Sequence, residues 1–228
     1  MNAKASDNCD GAAWGLVCAL PEELGSLRTF ERRSFVRAGL DVHELEVNGE
    51  RLLVSVGGVG KVCAARAATV LLGEGATRGL LVVGVCGGLR QSLAPGTLVH
   101  CTRTVQTDFA RREGRDLDAD GELRAAWRRV APGEEGWFLT ADRPVLSLWR
   151  RLRLARAFAG PCVADMETAA VASVAAAAGV RWAALRAVTD RATSLGVASF
   201  KLHYPSQAGR CADTVVPLLS ELARRTPS

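Results

Sequence analysis

The chain has 228 residues, 48% hydrophobic and 23% charged, with a formal net charge of +5. That length can bury a sizeable core as one domain. The longest apolar runs, Leu80–Leu89 and Ala169–Val180, are short and broken by glycine, which argues against an integral membrane segment.

The first thirteen residues are polar and mixed in charge and lack an apolar signal-peptide core, so residues 1–13 read as a loose lead-in to a domain spanning 14–228. Trp14–Leu20 reads as a buried first strand. Glu44–Val47 and Arg51–Val56 flank Asn48-Gly49, a hairpin signal. Gly60–Leu72 has helical spacing and stops at Gly73. Leu80–Val85 is a continuous apolar run, suited to a central strand covered on both faces. Thr97–Cys101 is the next strand, after the turn at Pro95-Gly96. Thr104–Asp120, polar and weakly patterned, reads as a long loop or lid.

Helical patterns return at Glu122–Val130 and Leu146–Phe158, with a strand at Trp137–Thr140 between them. A helix near Glu167–Ala178 leads into the strand Trp182–Thr189. Pro205–Ala223 is the last helix, which Pro217 would kink or split. The alternation predicts one α/β domain with a mixed, mainly parallel sheet.

The seven cysteines show no C-x-x-C spacing and mostly sit in apolar runs, as buried free thiols in a reducing compartment do; a cytoplasmic protein is expected. His43, His100 and His203 stand apart from other ligand types, so neither a metal nor a cofactor is expected. Nearly all the cations are arginine, densest at Trp149–Arg156. A solvated helix face is favoured there, and nucleic acid is not expected as a partner, because the aromatic interleaving it usually needs is missing.

Two glycine clusters follow strands. In Val56-Gly57-Gly58-Val59-Gly60-Lys61, Ser55 replaces the first P-loop glycine and Val62 follows the lysine, while Cys63 ends the match to a dinucleotide fingerprint. A tight strand-to-helix turn explains these glycines as well. Gly84-Val85-Cys86-Gly87-Gly88 follows the central strand, where its amides can line a ligand crevice. Acids also fall at strand ends: Glu22 and Glu23 after the first strand, Glu167 at a helix start and Asp190 at the end of the next strand. Singly, each suits a helix terminus or a cap. Jointly, at one sheet edge, they suggest a site.

These segments, in order, resemble the nucleoside phosphorylase and nucleosidase superfamily, and within it most resemble 5′-methylthioadenosine/S-adenosylhomocysteine nucleosidases and hopanoid-pathway relatives. The segments are Gly15–Glu23, Ser55–Lys61, Val83–Leu89 with Pro95–Val99, Ala164–Ala170 and Arg186–Asp190. The resemblance implies a three-layer sandwich around that central sheet. It also implies that Glu167 binds the ribose hydroxyls and Met166 packs on the sugar. Asp190 would protonate purine N7, and Glu23 would be the base for the attacking water with Arg186 nearby. Val145 would offer backbone groups to the base, and Val85, Gly87 and Thr189 would complete the substrate surface. The implied partners are a purine nucleoside, phosphate if the reaction is phosphorolysis, and further copies of the chain in a homodimer or larger ring.

The chemistry is coherent. Cleaving a ribose–purine bond leaves an oxocarbenium-like sugar and a poor anionic leaving group, and an acid–base carboxylate pair addresses both. Four departures from the family pattern stand out, one of them the Thr104–Asp120 loop, which does not match the family's 5′-substituent pocket. Val85 replaces a serine near the water. Pro144 replaces an aromatic near the base. Val82 stands where phosphorylases carry a phosphate-binding arginine, although Arg28, Arg32 or Arg33 offers a substitute cation.

Overall fold

β1 (Trp14–Cys18) is buried at every position, as its unbroken apolar run requires. A 3-10 helix follows over Pro21–Phe30, broken at Gly25, where φ is 50°. The hairpin strands β2 (Glu31–Arg37), β3 (Leu40–Val47) and β4 (Glu50–Val56) come next, with Asn48 and Gly49 at positive φ in the turn. Then come α1 (Lys61–Gly73), β5 (Gly79–Val82), β6 (Val85–Gly88), β7 (Leu98–Gln106), β8 (Leu117–Asp118) and α2 (Gly121–Val130). They are followed by β9 (Glu134–Thr140), α3 (Leu148–Ala157), β10 (Cys162–Asp165), α4 (Thr168–Ala177), β11 (Trp182–Asp190), α5 (Gly196–Asp213) and α6 (Val215–Ala223). This computed structural model describes residues 11–109, 116–192 and 196–225, the side chains at 196–199 and 201 excepted.

The described strands form one 11-stranded sheet in the order β2-β3-β4-β1-β5-β11-β6-β10-β9-β7-β8. The run β4-β1-β5-β11-β6 is parallel throughout, and antiparallel pairing enters at the β2–β3–β4 hairpins and at β6–β10. β11 also pairs antiparallel with β7, so this half of the sheet curls back on itself. Helices cover both faces. α1 and α4 meet one face through small side chains, Ala64, Ala67 and Ala68 against Ala172 and Ala175. The 3-10 helix, α2, α5 and α6 cover the other with Leu24, Leu27, Trp127, Leu218 and Leu219. Burying one such leucine contributes about 1.5–3 kcal/mol. The result is an α/β three-layer sandwich with a central mixed sheet, as expected.

Several elements differ from the sequence expectation. The run Leu80–Val85 divides, because Gly84, at φ 139°, turns the chain between β5 and β6; the second glycine cluster is thus a strand for most of its length. Thr104–Gln106 belong to β7, and residues 117–118 pair back onto it as β8, so Thr104–Asp120 is not all loop; residues 110–115 lie outside the described residues. β2 and β10 were not expected, the first because it is a polar edge strand and the second because it has only four residues. The last helix begins at Gly196, nine residues earlier than expected, and divides at Thr214. Pro217 then falls in the first turn of α6, where its missing N–H is tolerated. Of the lead-in, residues 1–10 lie outside the described residues, whereas Ala13 is buried and hydrogen-bonded to Gly75 and Arg78.

The first glycine cluster has a packing reason. A Cβ at Gly57 would stand 2.8 Å from Ala67 Cβ, so the turn can lie on α1 only with glycine there. Cys63, one turn into α1, is the partly exposed member of the described cysteines. Cys18, Cys86, Cys101, Cys162 and Cys211 are buried.

Candidate active site

The carboxyl ends of β1, β10 and β11 open onto one cavity of about 370 Å³. It is floored by β6 and flanked by the start of α5. All nine residues singled out in the sequence line it: Glu23, Arg186 and Asp190, with Met166, Glu167, Val145, Val85, Gly87 and Thr189. β1 and β11 lie in the parallel run and deliver their carboxyl ends to one edge, where open α/β sheets bind ligands. β10 runs antiparallel to β6, so its carboxyl end reaches the same cavity from the curled half of the sheet.

Glu23 is brought in by the 3-10 helix and is only 2% exposed. Its Oε2 accepts from the backbone N–H groups of Ala19, at 2.5 Å, and Leu20, at 3.3 Å, so the carboxylate folds back to close the turn after β1. Burial pushes its carboxyl up to about 7, partly opposed by the Arg186 guanidinium and by these N–H groups. Gly84 makes room for it: a Cβ there would stand 2.5 Å from Glu23 Oε1 and 2.7 Å from Arg186 Nη1.

Arg186 is 2% exposed and is the cation around which the acids gather. Its Nη1 donates to Val85 O at 3.2 Å, and its Nη2 donates to Glu167 Oε2 at 3.0 Å and lies 3.2 Å from Asp165 Oδ2. Those carboxylates hold its proton more firmly than usual, although burial opposes the charge. Glu167 stands at the N-cap of α4, and its Oε1 accepts from Gly60 N at 3.0 Å. The glycine turn before α1 therefore backs the carboxylate from the far side of the chain. Burial raises the Glu167 carboxyl, Arg186 opposes that, and Asp165 adds to it.

Asp190 ends β11 and is half-buried. Its Oδ1 accepts from Thr189 Oγ1 at 3.0 Å and its Oδ2 from Ala192 N at 2.7 Å. Burial raises its carboxyl, which favours the protonated, donating form, and the two hydrogen bonds partly offset this. Val145 is buried and Pro144 lies beside it on the wall.

Some lining residues were missed in the sequence. Phe200 and Tyr204, stacked with ring centroids 5.1 Å apart, lie on the part of α5 that the sequence pattern assigned to no element. They give the cavity aromatic surface although Pro144 does not. Asp165, two residues before Glu167, lies under the floor. The substitute cations proposed for phosphate are elsewhere: Arg28 is exposed, Arg32 pairs with Glu46 and Arg33 with Glu44, and none lines the cavity. Val82 is buried in β5. Among the described residues the lining cations are Arg186 and Arg143.

Comparison with known proteins gives a consistent picture. The family model described as the phosphorylase superfamily matches residues 14–220. A 5′-methylthioadenosine/S-adenosylhomocysteine nucleosidase from Actinobacillus succinogenes is 28% identical, over 91% of this chain and 98% of its own. Among solved structures, a Helicobacter pylori nucleosidase variant with 5′-methylthioadenosine in its active site superposes with a TM-score of 0.86 at 23% identity, covering 92% of this chain and 99% of that one. Futalosine hydrolase from Helicobacter pylori gives a TM-score of 0.86 at 23% identity, covering 92% and 98%. At these identities the structural matches speak for the fold.

Proposed function

Since the chain belongs to the phosphorylase superfamily, we propose that it is an N-glycosyl hydrolase that cleaves the ribose–base bond of a 5′-modified purine nucleoside by attack of water. The observation that carries this reading is the meeting of Glu23, Glu167 and Asp190, from three distant segments, in one cavity. Relatives named as nucleosidases match nearly the full chain and support it.

In this reading Glu167, ionised against Arg186, accepts hydrogen bonds from the ribose 2′- and 3′-hydroxyls, and Met166 packs on the sugar. As the C1′–N9 bond breaks, its electron pair moves into the base, and Asp190 delivers a proton to N7. Ionised Glu23 takes a proton from water as the oxygen bonds to C1′. The products are the free purine and a sugar bearing a 1-hydroxyl. Positioned acids and bases of this kind contribute about 10²–10⁴-fold each. Phe200 and Tyr204 offer the base an aromatic face, and Val145 offers it backbone groups.

Water is favoured over phosphate as the nucleophile. Arg186 is already engaged by Glu167 and Asp165, and the anionic wall of Glu23 and Glu167 repels a phosphate dianion. The apolar rim of Val59, Leu146 and Phe200 suits an apolar 5′ substituent better than a bare hydroxyl. Val62, 81% exposed on α1, and Trp149, 80% exposed on α3, suit contact with a second copy in a homo-oligomer.

The test is base release from methylthioadenosine, S-adenosylhomocysteine, adenosine and inosine, with and without phosphate. Release without phosphate, fastest for a 5′-thioether, is expected. Strict dependence on phosphate would replace hydrolysis by phosphorolysis, and no release from any substrate would sink the reading.

A further inference from the structure

Asp165 takes no part in the acid–base steps, and its surroundings give it another task. Its side chain has no accessible surface, so it cannot meet a substrate. It nonetheless collects donors. Thr140 Oγ1 donates to Oδ1 at 2.5 Å; Thr168 N donates to Oδ2 at 3.0 Å; the Thr168 hydroxyl makes a short hydrogen bond to Oδ2; and Arg186 Nη2 lies 3.2 Å from the same oxygen. Thr140 Oγ1 already accepts from Ala169 N at 3.0 Å, which leaves its proton for Asp165. A carboxyl group ringed by donors is an acceptor only, and hence an anion.

We propose that Asp165, locked by Thr140 and Thr168, is a positioning residue that fixes the Arg186 guanidinium between Glu167 and Val85 and so sets the charge that faces Glu23. The proposal rests on the hydrolase reading of this cavity.

Arg186 Nε has no hydrogen-bond partner among the described residues, so the guanidinium is oriented through its two Nη atoms alone. Nη2 is shared between Glu167 and Asp165. Without Asp165, Nη2 keeps Glu167 alone and loses its second restraint. Asp165 also takes part of the positive field that would otherwise favour ionised Glu23. A base whose carboxyl is held near 7 by burial is stronger than an ordinary glutamate, and Arg186, already engaged by Glu167 and Asp165, only partly opposes that.

The other titratable groups near Glu23 do not supply this charge. Cys18 on β1, Cys86 on β6 and Cys211 on α5 are all pushed up by burial and stay neutral thiols, as does the Tyr204 phenol. Glu167 is the remaining anion, and it is needed for ribose.

The experiment is the pH profile of kcat/KM for Asp165→Asn beside Thr140→Val. Asp165→Asn should lower kcat/KM at neutral pH about 10–100-fold through misplaced groups. It should also move the acid limb to lower pH by about half a unit or more, because the Arg186 charge is then shared with one acid fewer. Thr140→Val keeps the charge and should leave the limb in place while slowing turnover. A folded Asp165→Asn whose limb does not move overturns the proposal. A neutron crystal structure of the unaltered protein at pH 7 decides independently of folding or turnover. No deuteron on Asp165, with both threonine hydroxyls aimed at it, is expected; a deuteron on Asp165 overturns the proposal. Because that readout needs no substrate, it separates failure here from failure of the hydrolase reading.

Discussion

Glu23 combines two demands that pull against each other. It must be ionised to accept a proton, yet its burial holds the carboxyl up at about 7. Activity governed by it should therefore rise as pH increases through about 7, and Glu23→Gln should lose about 10²–10⁴-fold in kcat along with that rise. A rate that keeps the same pH dependence in Glu23→Gln would remove Glu23 from the role. Stability runs the other way. With the folded carboxyl raised above its unfolded value, the contribution is full below the unfolded pKa, near 4.5, and is lost as pH climbs through about 7. The loss is about 3 kcal/mol, and urea melts of Glu23→Gln should lack that slope. Asp190 is raised in the direction that suits an acid. Asp190→Asn should cut turnover at least about 100-fold with little change in Tm, and equal turnover would refute the assignment. At this scale the sequence was generous. Glu23, Glu167, Arg186 and Asp190 stood in recognisable segments, whereas Asp165 was hidden because its contacts to Thr140 and Arg186 join segments far apart in the chain, and its link to Thr168 alone reads as an ordinary local cap.

Elements were legible where burial was strong and hidden where it was not. β1 and β11 are read close to their ends, whereas the apolar run through β5 hides the break at Gly84. β2 is exposed along nearly its whole length, so neither hydrophobic alternation nor an apolar run marks it. The start of α5 was missed because its first residues lack helical periodicity and Pro205 sits inside it, which reads as a helix start. That miss hid Phe200 and Tyr204, and with them the aromatic side of the cavity. The break at Gly84 also has a test. Its φ of 139° is poorly suited to any side chain, and a Cβ would press on Glu23 and Arg186. Gly84→Ala should lower stability by about 1–3 kcal/mol and reduce kcat more than Gly73→Ala, whose added Cβ meets nothing within 4 Å. Equal effects from the two would show that the turn at Gly84 does not shape the site.

The whole molecule divides its labour between the two faces of the sheet. The α1–α4 face packs alanine on alanine and carries Gly60 and Glu167, so the sugar-binding side hangs on a close helix contact. The opposite face carries Glu23 through the 3-10 helix and the aromatics through α5. Layers and strand direction could be foreseen from alternating apolar and helical patterns. The curl that pairs β11 with β7 could not, because strand order depends on contacts between residues far apart in the chain. The exposed Val62 and Trp149 belong to this scale too. Light scattering should find more than one copy per particle, and Val62→Glu combined with Trp149→Glu should shift the mass to that of a monomer. A monomeric parent protein would rule out the contact.

The distribution of cysteines gives the molecule a built-in attachment point for probes. Five of the six described thiols are sealed in the interior, and burial disfavours their reactive thiolates. Cys63 alone among them reaches the surface partway, and its sulfur would lie 3.3 Å from a Cβ at Gly58. With Cys9, which lies outside the described residues, replaced by serine, a small maleimide fluorophore should therefore report from the turn whose Gly60 amide backs Glu167, and so register ribose arriving.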